Sequence, residues 1–226
     1  MIRSLVFGFV IASTTVALAD PLFQTLPKDG TGAKFHVNML LNGNEQTRTW
    51  QIRSTGTRKH EGKPARWIEL DGEAFNGFPI KYKLLIPESA FGKGKHPIEK
   101  TVEAWQKPGD QPPEKVDDFR NVDLFLYTLL SGPGDNVRKL DEKETVQWQK
   151  GAFDCDVLQG SSRLKLGALD VAIKHRTFYS DKAPFRFAGT KQDFEITVNG
   201  KTDRAHLEAV LDEVLENQPT AFPEVK

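Results

Sequence analysis

Cysteine is nearly absent: the 226-residue chain carries one, Cys155. A single thiol excludes an intramolecular disulfide, so stability has to come from a packed core. Net charge is absent as well, because 31 basic residues balance 31 acidic ones. Bulk charge would therefore draw the chain to neither a nucleic acid nor an anionic bilayer. No run of like charge marks a basic arm or an acidic tail, and there is no internal repeat or low-complexity segment. The apolar run from Leu5 to Ile11 is shorter than the roughly 20 residues a spanning helix needs. Catalytic signatures are missing too: no G-x-S-x-G elbow, no H-E-x-x-H, no phosphate-cradling glycine loop and no C-x-x-C. The five histidines, His36, His60, His96, His175 and His206, lack ligand spacing. The expectation is a protein with no metal, no cofactor and no catalysis.

What is present begins with Met1-Ile2-Arg3, the apolar stretch after it, and Ala17-Leu18-Ala19 before Asp20. That order of charge, apolar core and small residues is the layout of a secretory signal peptide, expected to be cut after Ala19. The mature chain is then expected in the periplasm or outside the cell, with no integral membrane segment. Asp20 to Ala33 reads as an extended lead-in, residues 34–217 as one β-rich domain, and residues 218–226 as a flexible tail.

The domain is organised around a β-meander from Lys34 to Ala90. Phe35, Val37, Met39 and Leu41 alternate with polar neighbours. The same period of two returns around Trp50 and Ile52, at Arg66 to Leu70, and through Ile80, Tyr82, Leu84 and Ile86. Such alternation gives each strand one apolar and one wet face. Ile98, Val102 and Trp105 follow Pro97 at helical spacing, predicting a short helix. Asp117 and Asp118 start a second predicted helix, which Gly132-Pro133 stops, and its Phe119–Leu130 stretch is apolar nearly all round. Strands are predicted at Thr145–Gln149, Phe153–Leu158, Val171–Tyr179, Phe185–Phe187 and Phe194–Val198, with a loop from Ser161 to Ala168 and a turn at Asn199-Gly200. Leu207, Val210, Leu211, Val214 and Leu215 predict a closing helix over Thr202–Glu216. The fold class is thus α+β, mostly antiparallel β: a strongly curved sheet or incomplete barrel with a few helices covering or plugging its concave face.

Three groups of residues bear on function. Asp154 and Asp156 flank Cys155 on a strand and so share a face. They could act as acid and base in a cleft, though alternating aspartates are also ordinary on a wet face. Cys155 with His175 could form a thiolate–imidazole pair, against which Cys155 alternates with Phe153 and Val157 as a buried hydrophobe. Aromatic residues spread over almost every element, and Trp50, Trp67, Tyr82, Leu126 and Trp148 are the candidate lining of an apolar cavity, the alternative being a filled core.

Lys83-Leu84-Leu85-Ile86-Pro87 and Tyr179-Ser180-Asp181-Lys182-Ala183-Pro184-Phe185, within this layout, resemble the LolA- and LolB-like lipoprotein-carrier superfamily and its uncharacterised exported relatives. The resemblance implies an incomplete antiparallel barrel covered by helices, and it departs at the predicted closing helix. Together these features lead to an exported, non-enzymatic binding protein holding a lipid, acyl chain or other hydrophobic ligand. The alternative is a structural or protein-interaction module of the envelope with an envelope protein as partner, and a hydrolase is the third reading.

Overall fold

The computed structural model describes residues 25–41, 43–73, 77–92, 95, 97–117, 135–166 and 168–222. The expected signal peptide, the start of the lead-in and the predicted Phe119–Leu130 helix, with Leu126, lie outside the described residues. Among the described residues, eleven strands form one sheet in the order β6-β5-β4-β3-β2-β1-β11-β10-β9-β8-β7. They are β1 Gly32–Leu41, β2 Asn44–His60, β3 Lys63–Glu73, β4 Pro79–Pro87, β5 Glu103–Pro108, β6 Glu114–Val116, β7 Asp135–Trp148, β8 Gly151–Leu166, β9 Leu169–Tyr179, β10 Phe187–Val198 and β11 Lys201–Leu215. Every pairing is antiparallel. No described helix is long and apolar enough to cross a membrane.

Two-residue turns set much of the register. Glu61-Gly62 (φ 49° and 77°) joins β2 to β3, and Asn199-Gly200 (φ 51° and 79°) joins β10 to β11. Positive φ at both positions matches the right-handed twist of the flanking strands. Residues directly opposite in a ladder share a face, so one face can be followed across the sheet. It runs Tyr82, Leu70, Ile52, Ala33 on β4 to β1, and Val37, Ala209, Thr190, Thr177 on β1 to β9. These side chains are buried. On β8 the apolar residues belong to the other face: Val157 pairs with Phe178, and Phe178 with Gly189. Phe153 and Cys155 share that face with Val157 by the strand's alternation.

Both faces are therefore apolar at one end of the sheet, and curvature accounts for it. The sheet is not closed, yet β7 lies against β11 although β8, β9 and β10 stand between them. The Gln149 N–H donates to the Asp212 carbonyl at 3.1 Å. The β7–β8 hairpin has curled back over the sheet.

Several sequence expectations are corrected. The predicted helix over Thr202–Glu216 is strand β11. Leu207 and Leu211 are four residues apart, a spacing that lies on one face of a strand as well as of a helix. Val210 takes the opposite face, and past the bulge opposite Lys34 and Phe35 the alternation reverses, so that Val214 pairs with Ala33 and Leu215 with Gly32. The helix after Pro97 reduces to a 3-10 turn, Ile98–Lys100. The Thr101 hydroxyl closes that turn onto the Ile98 carbonyl at 2.8 Å, and the Val102 N–H already donates to Leu85 at 2.9 Å. The expected loop at 161–168 is mostly strand, where Arg163 on β8 donates to Asp170 on β9 at 2.8 Å and 2.6 Å. Pro184–Arg186 is a 3-10 turn rather than part of a strand. Of the expected tail, residues 218–222 are described, with Phe222 fully buried, and residues 223–226 lie outside the described residues.

Candidate functional site

The curl of β7 over β11 leaves an opening at each end of β7. The first lies between the β7–β8 turn and the end of β11, has a volume of about 690 Å³, and is lined by apolar Trp148, Phe153, Val214 and Leu215 together with a larger share of polar and charged surface, Lys150 and Glu213 included. Trp148 and Phe153 stack with ring centroids 5.3 Å apart and planes 12° apart. Gly151 closes the turn beside them with a φ of 152°, a backbone conformation that residues with a side chain rarely adopt.

The second opening, about 660 Å³, takes in Leu40, Asn136, Lys174, Phe194, Arg204 and His206. It is rich in charge, and His206 Nδ1 stands 2.8 Å from Asp193 Oδ1. Both volumes fall within the range of small-molecule sites. Between the openings the curl is filled: Cys155, Val157 and Phe178 are buried in the main core. Half-exposed ion pairs, Lys191–Glu208 at 3.1 Å and Arg176–Glu144 at 3.4 Å, line the same face.

Of the five candidate lining residues four are described, and the two openings take in one of them. Trp50 and Tyr82 are buried in the main core and line neither opening. Trp67 points the other way, into a small cluster with Ala65, Leu85 and Trp105, because its neighbours Ile68 and Leu70 take the main core. Trp148 lines the first opening. Leu126 lies outside the described residues. Val214 and Leu215 were missed as lining residues because they were read as one face of a helix.

The chemical constellations separate as well. Cys155 pairs with Glu144, whereas His175 pairs with Gly160, five positions along β8 and on the opposite face. Five residues of strand span roughly 17 Å, so no thiolate–imidazole pair forms. Burial pushes the Cys155 thiol up to about 11, and its sulfur donates to the Phe153 carbonyl at 3.5 Å. Burial also lowers His175 to about 4, and its Nε2 lies 2.7 Å from the Ser162 hydroxyl. His175 Nδ1 and, opposite it on β10, Gln192 Oε1 are buried without a hydrogen-bond partner among the described residues. Asp156 is held below the usual carboxylate range by Lys139, which donates to it at 2.8 Å, and by Lys143. An acid catalyst needs the opposite shift. Among the described residues no group of three or more His, Cys, Asp or Glu is placed to hold a metal ion.

No protein-family model matches the chain, and no curated protein matches it. Among solved structures, it is similar to a DUF1329 family protein from Desulfovibrio piger, 10% identical with a TM-score of 0.38 and 88% and 90% of the two chains covered. It is similar to a protein named as exported, with a YmcC-like fold, from Bacteroides fragilis: 11% identical, TM-score 0.40, covering 88% of this chain and 100% of that one. A domain named for outer membrane lipoprotein sorting, from Vibrio parahaemolyticus, is 11% identical with a TM-score of 0.34 and coverage of 86% and 89%. Likeness at this level lends no ligand and no residue role.

Proposed function

We propose that the protein is an exported, non-enzymatic binding module of the cell envelope that holds an apolar ligand or acyl chain where β7 curls over β11. The observation that supports this reading is the opening where stacked Trp148 and Phe153 meet Val214 and Leu215 among charged neighbours that include Lys150 and Glu213. Apolar side chains take a hydrocarbon chain, and charges of both signs suit a polar head. Solvent extraction of the purified protein followed by mass spectrometry should release a lipid, and a fluorescent fatty-acid probe should bind. Val214→Lys places a charge in the apolar wall and should weaken the probe at least tenfold with an unchanged circular dichroism spectrum. Absence of both lipid and probe binding, or equal binding by the variant, refutes the reading.

Export rests on the Met1–Ala19 layout, and secreted protein should begin at Asp20. A second reading, a structural or partner-binding module, draws on the filled stretch of the curl at Cys155, Val157 and Phe178. It predicts no bound lipid and a protein partner on pull-down.

A further inference from the structure

Beyond β11 the chain crosses to the far side of the sheet. The Gln218 N–H donates to the Gly30 carbonyl at 3.3 Å, and residues 220–222 reach β3 and β4. There they meet Glu69 and Lys83, an ion pair 3.6 Å apart with side chains 0% and 3% exposed. These two residues sit opposite each other in the ladder, on the face that alternates away from Ile68, Leu70 and Leu84. An ionised carboxylate this deeply buried needs hydrogen bonds as well as countercharge. Countercharge comes from Lys83 and from Arg53, whose Nη2 is 3.8 Å away. Among the described residues, the hydrogen bonds that Glu69 accepts come from the crossing segment alone: the Ala221 N–H at 2.8 Å and the Thr220 hydroxyl. Lys83 in turn donates to the Phe222 carbonyl at 3.3 Å and to the Thr220 hydroxyl at 3.4 Å. Its ammonium lies 5.1 Å from the Trp67 ring centroid and 5.9 Å from that of Phe222.

The segment is held as a ligand is held. It belongs to no strand of the sheet. A backbone N–H, a backbone carbonyl, a hydroxyl and one buried ring are read by side chains of β3 and β4, which fixes register and polarity without a ladder. We propose that this face of β3 and β4 is a peptide-binding site, occupied by the chain's own Thr220-Ala221-Phe222, that takes an extended peptide from another chain carrying a hydroxyl residue two positions before an aromatic. Glu69 and Lys83 read its main chain, and the enclosed position of the Phe222 ring, 5.9 Å from the Lys83 ammonium, takes its ring. The site is independent of any ligand under β7. Exchange needs the local segment to leave while the sheet stays folded, and residues 220–222 take no part in the sheet's ladder.

The test uses the full chain and a fluorescein-labelled peptide copying residues 217–224. Phe222→Ala, which empties the position of that ring, should bind the peptide saturably by anisotropy. The unmodified chain should bind at least tenfold more weakly, because its tethered segment competes at high effective concentration. Adding Glu69→Gln to Phe222→Ala should abolish binding. No binding by Phe222→Ala with a native circular dichroism spectrum overturns the proposal. So does equal binding by the unmodified chain or by the double variant. Hydrogen exchange on the unmodified protein gives a check that needs no variant. The Ala221 amide should exchange more slowly than in the free peptide, and at least tenfold faster than the paired amides of β3 and β4. Exchange in step with those strands, or at the free-peptide rate, overturns the proposal equally.

Discussion

Replacing Gly72 with alanine puts one methyl group against the most enclosed tryptophan of the core. A Cβ at Gly72 would lie 2.4 Å from Trp50 Cδ2, 2.6 Å from Cε3 and 2.7 Å from Cε2. Carbon atoms in contact sit at about 3.5–4.0 Å, so the ring would have to move by roughly 1 Å. Trp50 is 1% exposed and packs in the core with Phe35, its partner on β1, which leaves it little room. Gly72 has no positive φ, so backbone strain is not the cause. On an unobstructed strand, alanine would be neutral or stabilising by about 0.4–1 kcal/mol. Overpacking of this kind costs about 1–3 kcal/mol, and contact with three ring atoms points to the middle of that range. A net loss of about 2 kcal/mol lowers Tm by roughly 4–8 °C for a chain of this size. Thermal unfolding followed by near-ultraviolet circular dichroism reads that shift. Trp50→Leu removes the obstacle, so in its background Gly72→Ala should cost less than about 0.5 kcal/mol, a coupling that a double-mutant cycle measures directly. A Tm within 1 °C of the unmodified protein (about the resolution of the assay), or the same cost in the Trp50→Leu background, would refute the packing argument.

Two further outcomes follow from buried titratable groups. With Cys155 pushed up to about 11 by burial, the native thiol should resist a disulfide reagent at pH 8 and react only as the protein unfolds. Stoichiometric labelling of the folded chain within the mixing time would contradict its burial. His175, lowered to about 4 from 6.5, stays neutral in the fold over a range where the unfolded chain takes up a proton. Its contribution is intact above pH 6.5 and declines as pH falls to about 4, a loss of about 3 kcal/mol at most. Denaturant melts across that window should show the slope, and His175→Gln should flatten it. An identical slope in the variant would assign the acid sensitivity to other groups.

Local chemistry was enough for the strands of the first meander, for parts of β7 to β10 and for several turns. Alternation at Phe35 to Leu41 and at Ile80 to Ile86, and the Asn199-Gly200 pair, act over a few residues and are legible without the rest of the chain. That same Asn-Gly pair is a hairpin signal, and it points to a strand at Lys201–Leu215, where leucines four apart are equally consistent with a helix. Alternation also separates Trp67 from Ile68 and Leu70, and Cys155 from Asp154 and Asp156. What it leaves open is which face is buried. Glu69 and Lys83 look like wet-face residues, and it is the segment from Thr220 to Phe222, about 150 positions later than Glu69, that encloses them. Trp50, Trp67, Tyr82 and Trp148 are all aromatic, yet Trp67 alternates away from the core that takes Trp50 and Tyr82, and Trp148 reaches the edge of that core because β7 lies against β11. Period and turn chemistry are properties of neighbours in sequence. Burial on a curled sheet depends on which distant strand arrives above each face, and only the tertiary structure decides that.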